Sequence, residues 1–412
     1  MNRRYFLKST GIGAVSLSFV GMPKFFVGAL RAEEVNPRRD DGKTLVNIFM
    51  RGAVDGLNVV VPYGEENYYN FRRGIAIPKP STSGESALDL DGFFGLNPRM
   101  PNIRKLFKSK EAVFVHASGS PNGTRSHFEA QAFMESGTPG DPDTESGWLN
   151  RTMDGVAEPG KNPFKLVAIT PEDPLSIRGN FPALSFDSLR ELKLRAGNAR
   201  GFESALSEMY STNATLSHSM SLLDEAMRIV KRSRSHESGD TAYPPYPLAM
   251  RLREVAKLIK MNVGLKIAFV DVNGWDTHVN EGGTEGGVLP NLLKEFDESI
   301  MAFREDLGKK FEDVVVVTLS EFGRTVRENG SGGTDHGHAN VMMAFGGEIN
   351  GGRVAGEWPG LGASELYQDR DLRVTTDFRT VLSEVITKHL GVSDLSPVFP
   401  GFTYRGSSLV MG

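Results

Sequence analysis

Asp335, His336 and His338 stand within the segment 334–340 (TDHGHAN), the densest cluster of metal-ligand side chains in the 412-residue chain. A second pair, Asp276 and His278, closes the segment 274–278 (GWDTH). In an extended backbone, residues two apart project to the same side, as two ligands of one ion must. An isolated histidine is more often a core or surface residue. Here three of the eight histidines fall in two Asp-bearing loops, and that favours a metal site. The chain contains no cysteine, so imidazole and carboxylate would be the donors. Such donors suit Zn, and leave Mn, Mg or Ca open where oxygens dominate.

Further polar groups follow other apolar runs. Glu321 and Arg324 lie in SEFGR (320–324), and Arg51, Asp55 and Asn58 in RGAVDGLN (51–58). Asp55 reads either as a metal ligand or as a turn residue that satisfies the backbone between two glycines. Ser126, in TRSHFE (124–129), sits where a helix should start. A hydroxyl there is placed for attack on a phosphate held by free N–H groups and the helix dipole. Ser126-x-x-Glu129 is equally a capping box, and spacing does not separate the two roles. Arg51, Arg125 and Arg324 are the candidates for pairing with the non-bridging oxygens of an anionic substrate.

The elements that must position these groups are legible as a pattern. Six short apolar runs, at 44–50, 112–117, 165–170, 265–272, 313–319 and 341–345, have the continuous hydrophobicity of strands buried on both faces. Between them lie stretches of helical period. Leu292, Leu293, Phe296, Ile300, Phe303 and Leu307 share one face behind Pro290, and Asp377 reads as the N-cap of a last helix ending at Gly391. Strands alternating with helices predict a three-layer α/β/α sandwich with a mostly parallel central sheet. Ligands of such a sheet bind beyond the carboxyl ends of the strands, where these polar groups gather. Residues 190–262 carry two apolar stripes at helical spacing and are expected to form a helical insertion beside the sheet.

The chain opens on Asn2-Arg3-Arg4-Tyr5-Phe6-Leu7-Lys8, followed by an uncharged, Gly- and Ala-rich stretch to Met22. Paired arginines before a short apolar core are the layout of a twin-arginine export signal. Residues 1–32 are therefore expected to address the chain to the twin-arginine translocase, for release into the periplasm or medium. Cleavage is expected after Ala29 or Ala32, or the segment is kept as an anchor. Residues 33–412 would form a single α/β domain. Removal of the signal leaves 42 basic and 51 acidic residues, a net charge of −9. That charge argues against a nucleic-acid partner. No other apolar run reaches the ~18 residues of a membrane span.

The order of these motifs resembles the alkaline phosphatase and sulfatase superfamily. Asp55, Ser126, Asp276 with His278, Asp335 with His336, and His338 match, in chain order, the superfamily's metal-binding Asp, hydroxyl nucleophile, Asp and His pair, Asp-His-Gly motif and final His. The segments 51–64, 116–131, 147–151, 274–278 and 314–340 more closely resemble the twin-arginine-exported "domain of unknown function 1501" proteins, a likeness over nearly the whole mature chain. Three departures stand out. Glu321-Phe322-Gly323 occupies the place of Asp-His-Gly directly after a strand, which makes Glu321 a further ligand candidate. His338 is only two residues past His336. Ser126 lacks the Cys/Ser-x-Pro-x-Arg context of a formylglycine sulfatase. The resemblance implies a hydrolase of phosphate esters, and less readily of sulfate or phosphonate esters, with two divalent ions clamping an in-line displacement on a small-molecule or glycan ester. A non-catalytic exported protein binding one metal or a glycan on the same scaffold is the alternative, and a transferase or mutase also fits.

Overall fold

A computed structural model describes residues 42–82, 84–157, 162–189 and 241–412. The expected export signal, 1–32, lies outside the described residues, as does all of the expected insertion before residue 241. Each of the six apolar runs forms a strand. These are β1 (Thr44–Met50), β2 (Ala112–Gly119), β3 (Leu166–Ile169), β5 (Ile267–Val272), β6 (Val314–Leu319) and β7 (Asn340–Gly346). Three shorter strands, β4 (Leu184–Phe186), β8 (Arg353–Ala355) and β9 (Thr376–Asp377), complete a sheet in the order β8-β2-β7-β6-β1-β5-β3-β4, with β9 also paired to β2. Every pairing is parallel except those of β7, which runs against both β2 and β6.

The strands alternate their side chains between two cores. Val46, Ile48 and Met50 of β1 face helices α1 (Pro101–Lys108), α4 (Pro247–Lys260) and α5 (Val288–Leu307). Leu45 and Phe49 face α3 (Trp148–Val156) and α6 (Phe378–Leu390). All six residues of β6 are buried, and each Val or Leu so placed contributes roughly 1.5–3 kcal/mol relative to exposure. A sheet covered on both sides needs continuous apolar strands, which is why these runs do not alternate with polar residues. Asp377 caps α6 by accepting from Arg379 N, and Gly391 ends it in the left-handed conformation. Among the described residues, no helix is long and apolar enough to cross a membrane.

Candidate metal centre

The carboxyl ends of β1, β2, β5 and β6 point to one edge of the sheet, and their loops carry the polar segments. β7 runs the other way, so its amino end lies at that same edge. This accounts for the displaced Asp335-His336-Gly337. The motif does not follow a parallel strand; it precedes an antiparallel one and arrives at the same place. A ribbon of backbone bonds secures it: Gly337 N donates to Gly323 O at 2.8 Å, Gly323 N to His338 O at 2.9 Å, and Thr325 N to Asp335 O at 2.9 Å. Gly52 brings the β1 loop against the β5 loop. Its φ of +118° suits glycine, and a Cβ there would lie 2.5 Å from Asp276 N.

Helix α2 (His127–Ser136) starts at this edge, and its first residue completes the centre. His127, Asp276 and His336 offer three ligand atoms within 4.8 Å of one another. His127 Nε2 lies 3.0 Å from His336 Nε2, and Asp276 Oδ1 lies 3.6 Å and 3.4 Å from those two atoms. Three donors ~2.1 Å from a tetrahedral ion stand about 3.4 Å apart, so the separations fit a zinc-sized site. His278 Nε2 joins from the side, 2.9 Å from His336 Nε2 and 3.1 Å from Asp276 Oδ1.

The far nitrogens fix the tautomers. His127 Nδ1 donates to Glu321 Oε1 at 2.7 Å, His278 Nδ1 to Asp335 Oδ1 at 3.0 Å, and His336 Nδ1 to the Arg125 carbonyl at 3.0 Å. With every Nδ1 carrying a proton, three Nε2 lone pairs face one another beside a carboxylate. That arrangement calls for a cation. One shared proton relieves a single contact, and a divalent ion relieves them together. Charge agrees: the carboxylates Asp276, Glu321 and Asp335 gather around the buried guanidinium of Arg324.

The local fields have clear causes. The Glu321 contact raises His127, while burial lowers His336. Burial pushes the Asp276 carboxyl up, and the Arg324 guanidinium outweighs it, leaving the group below the usual range. Burial likewise opposes Glu321, yet bonds from His127, Gln131 and Gly52 N keep it low. Asn329 and His278 hold Asp335 down.

Asp276, His278, Glu321, Asp335 and His336 thus meet, but not in one role. Glu321 and Asp335 orient histidines, as carboxylates behind metal-bound imidazoles do. Asp55 is elsewhere engaged: it is buried, and Arg72 holds both of its oxygens. His338 is turned away, donating from Nε2 to Ser120 O at 3.1 Å and packing on Tyr367.

The arginines are tied as well. Arg324 is buried and donates to the carbonyls of Gly52, Ala53, Trp275 and Thr334 and to Asp276 Oδ1, so it clamps the loops. Arg51 bonds Asp271, Glu135 and Gln131, and Gln131 in turn donates to Glu321 at 2.8 Å. Arg125 is anchored by Asp371 and Gln368 and remains part-exposed. Ser126 is the N-cap of α2, but its side chain makes no capping bond. The expected partner, Glu129, accepts from Thr124 Oγ1 instead.

His127 was not singled out by the sequence pattern. Its signal was its position, directly after a candidate helix start that follows a buried strand.

A profile of the family described as "Protein of unknown function (DUF1501)" matches residues 109–398. Comparison with curated proteins finds no match. Among solved structures, the PsFucS1 sulfatase from Pseudoalteromonas sp. is similar at 14% identity, covering 86% of this chain and 69% of that one, with a TM-score of 0.38. A protein in the alkaline phosphatase superfamily from Vibrio parahaemolyticus is 11% identical over 87% of this chain and 68% of its own, with a TM-score of 0.40. The phosphonate monoester hydrolase of Agrobacterium radiobacter is 10% identical over 88% and 78%, with a TM-score of 0.36.

Proposed function

The chain belongs to the DUF1501 family, and from the centre itself we propose an exported metal-dependent hydrolase of phosphate esters, using one divalent ion held by His127, Asp276 and His336. The observation that carries this reading is the convergence of imidazole lone pairs, each fixed by a bond at the opposite nitrogen. Two imidazoles and a carboxylate suit Zn first and Mn second; Mg and Ca favour sites made of oxygens. Held by His127, Asp276 and His336, such an ion would supply Lewis-acid polarisation of a substrate oxygen.

The chain's own residues then bind and orient. We assign Ser126 as nucleophile, next to His127 and at the N-terminus of α2, where free N–H groups and the helix dipole favour a phosphate. Arg125 is the assigned substrate-binding arginine, since Arg51 and Arg324 are committed to holding loops. Asp276 is oriented by Arg324, His127 by Glu321, and His336 by the Arg125 carbonyl.

The proposal uses one ion where the superfamily resemblance implies two. Asp55, which a second ion would need, already has Arg72 as its cation. Among the described residues, one donor cluster is found. That single cluster also favours the second reading, a non-catalytic exported metal- or glycan-binding protein.

Metal analysis of the purified protein, with a panel of phosphate mono- and diesters, sulfates and phosphonates, separates the two. One ion per chain with turnover lost in Ser126→Ala supports the hydrolase. One ion with no turnover on any ester supports the binder, and no bound ion sinks the hydrolase and leaves only a metal-free glycan binder. Export through the twin-arginine translocase to the periplasm or medium is part of the proposal and rests on residues 1–32. Replacing Arg3 and Arg4 by Lys should keep the chain in the cytoplasm.

A further inference from the structure

Glu281 is fully buried, belongs to neither the donors nor their orienting carboxylates, and sits beneath the two loops that carry them. Its Oε2 accepts from Thr277 Oγ1 at 2.9 Å and from Thr334 Oγ1 at 2.6 Å. Thr277 lies between Asp276 and His278, and Thr334 directly precedes Asp335 and His336. Both threonines are buried.

One oxygen therefore touches the two ligand-bearing segments at once, although they are more than fifty positions apart in the chain. Three backbone bonds line the same seam. Asn280 N donates to Ser331 O at 3.1 Å, Glu281 N to Gly332 O at 2.9 Å, and Thr334 N to Thr277 O at 3.2 Å. The seam is close enough that a Cβ on Gly333 would lie 2.4 Å from Thr277 O.

We propose that Glu281 is a positioning residue that locks the 276–282 loop to the 329–336 loop, and so sets Asp276 against His336. The inference rests on the reading of the centre as a metal site.

The other carboxylate oxygen explains the choice of residue. Oε1 accepts from Asn58 Nδ2 at 3.4 Å, and the buried Asp55 carboxylate is close enough to act on the Glu281 charge. Two buried carboxyl groups meet one guanidinium, Arg72, which grips Asp55 on both oxygens. A second negative charge has no partner there, so Glu281 holds the shared proton. Burial and the neighbouring Asp55 charge push its carboxyl well up, in agreement with that geometry. A protonated Glu281 can donate toward Asp55 while its Oε2 accepts from both threonines. A glutamine amide keeps an oxygen toward the threonines and an NH2 toward Asp55, and gives up only the 3.4 Å bond from Asn58 Nδ2.

Hydrogen exchange of the 276–282 and 329–336 segments, alongside Zn affinity by competition titration, tests the lock. Glu281→Ala should expose both segments to exchange about 10-fold faster or more. It should also weaken Zn by roughly 10–100-fold, as loss of an outer-shell support does. Glu281→Gln should stay within about 3-fold of wild type in both readouts, a rescue that simple cavity filling by another residue would not give. Thr277→Val removes one of the two grips, serves where Glu281→Ala fails to fold, and should speed exchange in the same segments. Unchanged exchange in Glu281→Ala or Thr277→Val overturns the lock, as does a Glu281→Gln variant as loose as the alanine. Should the variants loosen both loops while wild type takes up no Zn, the lock stands and the metal reading falls. Zn uptake by wild type with unchanged exchange in the variants removes the lock alone.

Discussion

His127 Nδ1 lies 2.7 Å from Glu321 Oε1, and in the proposed metal site this contact makes Glu321 the group that aims the imidazole of a ligand, His127. Glu321 Oε1 also accepts from Gly52 N at 2.9 Å and Gln131 Nε2 at 2.8 Å, so the carboxylate is itself held by the β1 loop and by α2. Glu321→Ala should therefore retain a metal site but weaken it by roughly 10–100-fold, the usual cost of removing an outer-shell partner. Competition titration with a chromogenic chelator measures this. Complete loss of the site would instead mean that Glu321 ligates directly.

His336→Ala and Asp276→Ala should each remove metal from the folded protein, while Asp55→Asn should not. Asp55→Asn leaves Arg72 charged, buried and half-partnered, and breaking such a pair by removing one member costs about 3–5 kcal/mol. Its signature is a large loss of stability with unchanged metal content per folded chain. Elemental analysis beside denaturant unfolding reads both. Metal lost from folded Asp55→Asn would restore Asp55 as a ligand.

The parts legible in the sequence were those set by local pattern. Strands such as 44–50 and 313–319 show themselves because burial on both faces demands continuous apolar residues. Asp276, His278 and His336 show themselves because metal-ligand types cluster. What stayed hidden was set by the partner of each polar group. Asp55 looks like a ligand until Arg72, 17 positions on, takes both its oxygens. Glu321 and Asp335 read as ligands in the sequence, whereas the fold sets each against the Nδ1 of a histidine, a contact no local pattern shows. His338 shares a motif with His336, yet residues two apart on this strand entry serve different sides, and Ser120 claims it. No local rule marked His127, whose role depends on where α2 begins in space.

Chelation should destabilise the wild-type protein, because it removes an ion that binds the folded state. An ion that binds only the folded state at a hundred times its Kd adds about 2.7 kcal/mol. EDTA should therefore lower Tm, and added Zn should restore it with a logarithmic dependence on concentration. His336→Ala should show no response to either addition. A wild-type Tm indifferent to EDTA and Zn would argue against the centre.

His116 gives a pH dependence separate from the metal. It is buried, Nε2 donates to Val60 O at 2.9 Å, and Ala117 N donates to Nδ1 at 2.9 Å. Burial pushes this imidazole down to about 4. Its unfolded counterpart titrates near ~6.5, so below that pH the unfolded chain binds the extra proton. The contribution is full above ~6.5 and is lost as pH falls toward 4, amounting to about 3 kcal/mol at most. In EDTA, denaturant unfolding from pH 7 to 4.5 should show this slope. His116→Gln should be less stable at pH 7 but flatter with pH by up to one proton. Equal slopes in both proteins would mean that His116 titrates normally.

Ser126→Ala separates catalysis from architecture, because the two roles of Ser126 predict opposite outcomes. As the cap of a capping box, Ser126 would lose about 1 kcal/mol on truncation and leave turnover intact. The structure gives its side chain no capping bond and gives Glu129 a different partner, Thr124. Removing the hydroxyl should thus change stability by less than about 0.5 kcal/mol, the range of a substitution that breaks no particular contact. As the nucleophile beside His127, its loss should cut kcat by at least about 1,000-fold, since removing a nucleophile from an active constellation costs several orders of magnitude. Metal content should stay at the wild-type value, because the Ser126 side chain is not among the donors. Unfolding curves, elemental analysis and turnover on the best ester of the panel, measured on one preparation, resolve the alternatives. Unaltered turnover would move the nucleophile's role elsewhere, and a loss of metal would make the hydroxyl part of the centre.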